Sequence, residues 1–261
     1  MPAAITELIE LMKTLRAPSG CPWDRAQTFE TLVPHTIEEV YEVADAIERG
    51  AFAELAGELG DLLFQVVFYA QIASELGHFD FDVIARQVTR KLRARHPHVF
   101  GSEPPTSAAA QSARWDAFKA EERRLRNASS SEIDDVPLAL PGLTRAAKLQ
   151  KRAARVGFDW VSVAPVFDKV AEELVEIRHA YSAQAPAAEL HAELGDLLFA
   201  TANLARHLGL DPESAARGAN AKFERRFRHI EASLAERGLR PSDVGLSDLD
   251  RLWDEAKARG L

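Results

Sequence analysis

Cysteine is almost missing from this 261-residue chain, with Cys21 the single example. An intrachain disulfide and a thiolate zinc centre are therefore excluded. Long apolar runs are missing as well. The longest covers residues 62–73, short of the roughly 18–20 apolar residues that cross a bilayer. Residues 1–16 carry Glu7 and Glu10 inside their apolar pattern, which does not fit a secretory leader. A cytoplasmic protein with no membrane contact is expected.

Positive charge is also in deficit. Lysine and arginine number 32 against 40 aspartates and glutamates, a net charge of −8. Nucleic-acid binding needs a basic stripe to displace counterions from phosphates, so that class of partner is not expected. A small phosphorylated ligand held through metal ions remains compatible. The chain has no D-x-D-x-D-G calcium loop, no G-x-x-x-x-G-K-[ST] phosphate loop and no H-E-x-x-H. It offers no Ser/His/Asp or Cys/His arrangement for covalent catalysis. What remains, 46% hydrophobic and 28% charged residues, is the balance of a globular protein.

The chain contains itself twice. AELAGELGDLLF begins at residue 53 and AELHAELGDLLF at 188, with ten of twelve positions identical. Around them, Glu38-Glu39-Val-Tyr-Glu42 answers to Glu172-Glu173-Leu-Val-Glu176, and Lys91–Arg95 to Lys222–Arg226. Trp115–Lys119 answers to Trp253–Lys257. Order is kept throughout, which is the mark of a tandem duplication. The boundaries expected are 1–126 for the first repeat, 127–141 for a Ser-, Asp- and Pro-rich linker, and 142–261 for the second. Apolar residues such as Ile5, Leu8, Ile9, Met12 and Leu15 recur at three-to-four-residue spacing. Sustained alternation with β-branched residues is missing. The fold expected is all-α: two helical repeats, each an acid-lined helix hairpin whose bundle is completed by dimerisation. The apolar stretch 62–73 needs a cover, which favours a homodimer.

Helical spacing puts Glu39 with Glu42 on one face, and Glu58 with Asp61. The second repeat does the same with Glu173 and Glu176, then Glu193 and Asp196. Carboxylates gathered among valines and leucines repel one another, and a cation relieves that repulsion. Oxygen-only ligands suit Mg²⁺, with Mn²⁺ as a substitute. The other reading is a solvated acidic face. Gly60 and Gly195 sit inside these helices at a cost of about 1 kcal/mol relative to alanine, so a packed neighbour or a ligand is expected there. Two E-x-x-H strings, Glu75–His78 and Glu176–His179, leave a di-iron bundle as a weaker alternative. Lys222, Arg225 and Arg226 lie within one turn and either grip phosphate oxygens or form a solvated face. Trp253 stacks on a base or packs in the core. Trp23 and Trp160 are assigned to the core.

E-E-x-x-E followed by E-x-x-D resembles the all-α nucleoside triphosphate pyrophosphohydrolases. CPWD (21–24), HTIEEVYE (35–42), GELGDLLFQVVFYAQ (57–71), RHPHVF (95–100), GFDW (157–160) and KFERRF (222–227) are together similar to the two-repeat MazG proteins. The resemblance implies Mg²⁺-dependent hydrolysis of nucleoside triphosphates between the α and β phosphates, in a homodimer that clears unwanted nucleotides. It implies metal ligands at Glu173, Glu176, Glu193 and Asp196, with Glu172 either supporting those ligands or orienting water. Lys169, Lys222, Arg225 and Arg226 would hold phosphates. Trp253, Glu189 and Lys119 would border the nucleotide. Glu39, Glu42, Glu58 and Asp61 are the matching acids of the first repeat. There His35 stands where the second repeat has Lys169, so catalysis is expected mainly in the second. A helical regulator that binds metal or nucleotide without turnover is the alternative.

Overall fold

The computed structural model describes residues 3–104, 107, 110–111, 114–115, 117–118 and 131–261. Lys119 and the first residues of the expected linker lie outside them. All regular structure among the described residues is helical. The chain divides into two compact units, Met1–Arg123 and Arg124–Leu261.

In the first unit, α1 (Ala3–Arg16) and the short α2 (Pro22–Ala26) lead into a long hairpin, α3 (Phe29–Glu48) and α4 (Phe52–Glu75). α5 (Phe81–Arg95) and one turn, α6 (Pro97–Phe100), follow. Thr28 caps α3 by accepting from the Thr31 amide, while the Thr31 hydroxyl accepts from the Thr28 amide. The hairpin turn ends α3 at Gly50, whose φ of +68° lies in the left-handed region open to glycine. Met12 of α1, Leu32 of α3, and Val67, Phe68 and Ile72 of α4 form the buried core. The apolar run 62–73 is thus partly consumed inside its own unit. Arg16 ties α1 to the end of α4 through a two-nitrogen bridge to Glu75.

The second unit repeats this plan. α7 (Gly142–Arg155) corresponds to α1, and the hairpin is α8 (Ala164–Ser182) with α9 (Ala187–His207). α10 (Pro212–Ala235), a 3-10 turn (Pro241–Asp243) and α11 (Leu246–Ala258) complete it. Asp211 caps α10 by accepting from the Ser214 amide. A separate small core of Ile230, Leu234 and Leu252 joins α10 to α11.

Two expectations need correction. Trp23 and Trp160 are not core residues: they are 53% and 42% exposed. Trp23 stands on the short α2 and Trp160 in the loop before the second hairpin, and neither position buries its ring. Among the described residues the helical glycines have no packed neighbour either, because a Cβ built on Gly60 or Gly195 meets nothing within 4 Å.

Candidate active site and its carboxylates

Each hairpin gathers three carboxylates. Glu39 of α3 meets Glu58 and Asp61 of α4, and Glu173 of α8 meets Glu193 and Asp196 of α9. In both sets, one oxygen from each residue lies within 4.8 Å of the other two. These sets contain carboxylates alone, so neither E-x-x-H string contributes a histidine among the described residues. Glu42 and Glu176 fall outside the triplets but stand beside them. Burial and the neighbouring charges of Asp61 and Glu42 push the Glu39 carboxyl above its usual range. Glu176 is raised similarly, by desolvation and by a hydrogen bond with the Glu173 carboxyl. Like charges held together in this way are the electrostatic condition that a hard divalent cation relieves.

The two hairpins differ one turn before the acids. Lys169 bridges Glu172 and Glu173, both at 2.8 Å. These carboxylates push its ammonium above its usual value. Glu173 is itself buried, 5% exposed, so Lys169 is the cation that compensates it. In the first hairpin His35 turns away. Its Nδ1 lies 3.9 Å from Glu38 and its ring meets the edge of Trp23 at 6.0 Å.

A cavity of about 450 Å³ opens beside the second triplet. From α9 it is lined by Asp196, Phe199, Ala200, Asn203 and Arg206, a stripe at three-to-four-residue spacing. α8 adds Val166, Lys169 and Glu173 at the same period, and α7 adds Leu149, Gln150 and Ala153. Phe158, Asp159 and Trp160 close it from the connecting loop. A lining that joins acids and a lysine to aromatic side chains suits a phosphorylated ligand with a flat ring.

In the first hairpin two of the residues 135 positions earlier are larger. Gln65 stands for Ala200 and Phe68 for Asn203. Phe68 is fully packed in the core, and Gln65 is buried as well. The space that forms the cavity in one repeat is filled by side chains in the other.

A hydrogen-bonded clamp borders the cavity. Asp159 accepts from Arg206 at 2.5 Å and from His207 at 2.9 Å. These donors hold its carboxyl below the usual range. Sequence reasoning missed Gln150, Phe158, Asp159, Asn203 and Arg206. The signal available was the stripe 196–199–200–203–206, read only as far as its apolar members.

The remaining sequence candidates lie elsewhere. Lys222 and Arg225 are exposed on α10, and Glu189 is exposed in the first turn of α9. None lines the cavity. The Arg226 guanidinium sits over the Trp253 ring at 5.4 Å and donates from Nε to the Leu261 carbonyl at 2.7 Å. Trp253 also packs on Phe223 and on the α10–α11 core. The first unit repeats the device, with Arg95 over Trp115 at 5.2 Å. In each repeat the arginine and tryptophan hold one another.

The MazG nucleotide pyrophosphohydrolase domain matches this chain twice, at residues 27–100 and 164–231. Both matched spans contain a complete carboxylate triplet. The nucleoside triphosphate pyrophosphohydrolase of Escherichia coli K12 is 52% identical over 259 residues, which is 98% of both chains. A Thermotoga maritima protein, named nucleoside triphosphate pyrophosphohydrolase/pyrophosphatase MazG, is 42% identical over 96% of this chain and 94% of its own. A Mycolicibacterium smegmatis nucleoside triphosphate pyrophosphohydrolase is 39% identical over 59% of this chain and 47% of its own. With both repeats matched and relatives aligned end to end, the chain belongs to the MazG nucleotide pyrophosphohydrolase family.

Proposed function

We propose that this nucleoside triphosphate pyrophosphohydrolase cleaves the α–β phosphate bond, that it needs Mg²⁺, and that its second repeat carries the turnover. The observation that supports this reading is the cavity at the second triplet, in a place where the first repeat has the buried Gln65 and Phe68.

Glu173, Glu193 and Asp196 fit a hard cation, being three carboxylates with converging oxygens, and Glu176 stands beside them. Mg²⁺ held there supplies neutralisation of the triphosphate and Lewis-acid polarisation of its oxygens. Lys169, at the rim of the cavity, takes phosphate oxygens in place of the carboxylates it now bridges. Glu172 is free of the triplet and exposed, and it orients the attacking water. The water oxygen bonds to the α phosphorus, the bond to the bridging oxygen breaks, and pyrophosphate leaves. A carboxylate takes the released proton. No covalent nucleophile is required, and positioning with charge neutralisation supplies the acceleration. Lys222, Arg225, Arg226 and Trp253 serve nucleotide binding only if brought to a site from outside their own fold unit's cavity.

That last condition agrees with a homodimer. The hairpins leave Val40, Leu59, Leu63, Leu174, Leu194 and Leu198 each between 40% and 50% exposed. Faces of this kind need a cover. Light scattering at micromolar concentration is expected to give twice the chain mass, and a monomer contradicts the dimer.

The activity is tested by incubating the protein with ATP and Mg²⁺ and resolving products by phosphorus NMR. AMP with pyrophosphate is expected. ADP with orthophosphate overturns the bond assignment, and no product favours a binder without turnover.

A further inference from the structure

We infer that Asp159 is a positioning residue for nucleotide binding. Through Arg206 and His207 it fixes the loop between α7 and α8, whose Phe158 and Trp160 line the cavity. This inference rests on the hydrolase reading above and deepens it.

Apolar burial does not hold this loop. Residues 156–163 lie between α7 and α8, and Val156, Phe158 and Val161 are 61%, 82% and 106% exposed. The Gly157 and Phe158 amides donate to the Ala154 and Ala153 carbonyls, which ties the start of the loop to α7. The tie across to α9 runs through Asp159. Its Oδ1 accepts from Arg206 Nη2 at 2.5 Å and from His207 Nε2 at 2.9 Å. The same oxygen takes the Trp160 amide at 2.9 Å. A carboxylate only accepts, so the His207 proton sits on Nε2. Hydrogen bonds with charged partners are the stronger kind, and the Arg206 and His207 side chains are partly withdrawn from water. Arg206 is fixed in its turn. Asn203, 5% exposed, accepts on Oδ1 from its Nε at 2.9 Å and its Nη2 at 2.7 Å. A guanidinium clasped by Asn203 on its own helix and by Asp159 on the loop passes the position of α9 to the loop.

The clamp accompanies the cavity and not the repeat. An aspartate, Asp24, stands 135 positions before Asp159, but Gln71 and Ile72 stand in the places of Arg206 and His207. Gln71 donates to Glu75 of its own helix instead, and the first hairpin forms without the clamp. In the second unit α9 also carries Asp196. At a rise of 1.5 Å per residue, Arg206 lies about 15 Å along the helix from that carboxylate. With the phosphates at the triplet, the loop bears on the part of the ligand remote from the acids, its nucleoside. Contacts that act equally on ground state and transition state change KM and leave kcat in place.

The test measures calorimetric Kd with Mg²⁺ for α,β-methylene-ATP, which resists α–β cleavage, and for inorganic tripolyphosphate. Steady-state rates on ATP accompany it. Asp159→Ala is expected to raise Kd for the methylene analogue and KM for ATP about fivefold or more. Its kcat and its Kd for tripolyphosphate should stay within about twofold. Asp159→Asn keeps an acceptor oxygen and loses the charge, so about threefold is expected; it decides the matter if the alanine variant does not fold. Equal weakening of both ligands, or a fall in kcat at unchanged KM, marks a clamp that serves folding alone and overturns the inference. Unchanged constants overturn it too, and leave the hydrolase reading standing. A fivefold loss on the analogue in a protein that releases no pyrophosphate supports the role of Asp159 and overturns the hydrolase reading. Binding of neither ligand by the unmodified protein overturns both.

Discussion

Single residues set the difference between the two acid sites. Lys169 supplies a full charge to Glu172 and Glu173, whereas His35 lies 3.9 Å from Glu38 and leans on Trp23. At this scale Asp159 gives a test that does not involve the metal ligands. Its carboxyl is depressed by the Arg206 hydrogen bond first and by His207 second. A carboxyl with a lowered folded pKa contributes stability above its unfolded value, about 3.9, and loses it as pH falls through the folded value. Asp159 is 24% exposed and Arg206 19%, so screening is incomplete. Asp159→Asn is expected to cost about 1–2 kcal/mol at pH 7. Urea denaturation should show that difference shrinking below about pH 4, and a difference unchanged at pH 3 contradicts the assignment.

Elements show which features the sequence could reveal. Helices, hairpins and acid pairs were legible because they follow from periodicity within one element, as with Glu58 and Asp61 or Glu193 and Asp196. The cavity was not, because it depends on three elements and a loop meeting, and on Ala200 being small where Gln65 is large. Trp23 and Trp160 were misplaced for the same reason: a tryptophan reads as apolar, but only packing decides whether anything covers it. The Arg226–Trp253 contact likewise needs α10 against α11. Gly195 remains the element-scale puzzle, exposed within α9 with open space around its missing Cβ. In an uncovered helix, alanine there adds about 1 kcal/mol of stability. If a second copy packs on this face, Gly195→Ala instead raises the monomer fraction seen by analytical ultracentrifugation. A dimer unchanged by the substitution, with raised melting temperature, contradicts packing at that point.

Across the whole molecule, duplication has produced two carboxylate triplets in unequal surroundings. The first unit spends its interior on packing, with Phe68, Met12 and Leu32 closing the core. The second keeps a cavity there, with Lys169 in its lining. The central claim is that turnover belongs to the second unit. It is tested most directly by steady-state rates on ATP for Asp196→Asn and Asp61→Asn, each replacing a carboxylate by an amide of nearly the same size. Asp196→Asn should lower kcat/KM on the order of a hundredfold or more, and Asp61→Asn by no more than about threefold, since it removes no group that faces the cavity. An enzyme silenced by Asp61→Asn yet active with Asp196→Asn would place catalysis in the first repeat and contradict the account.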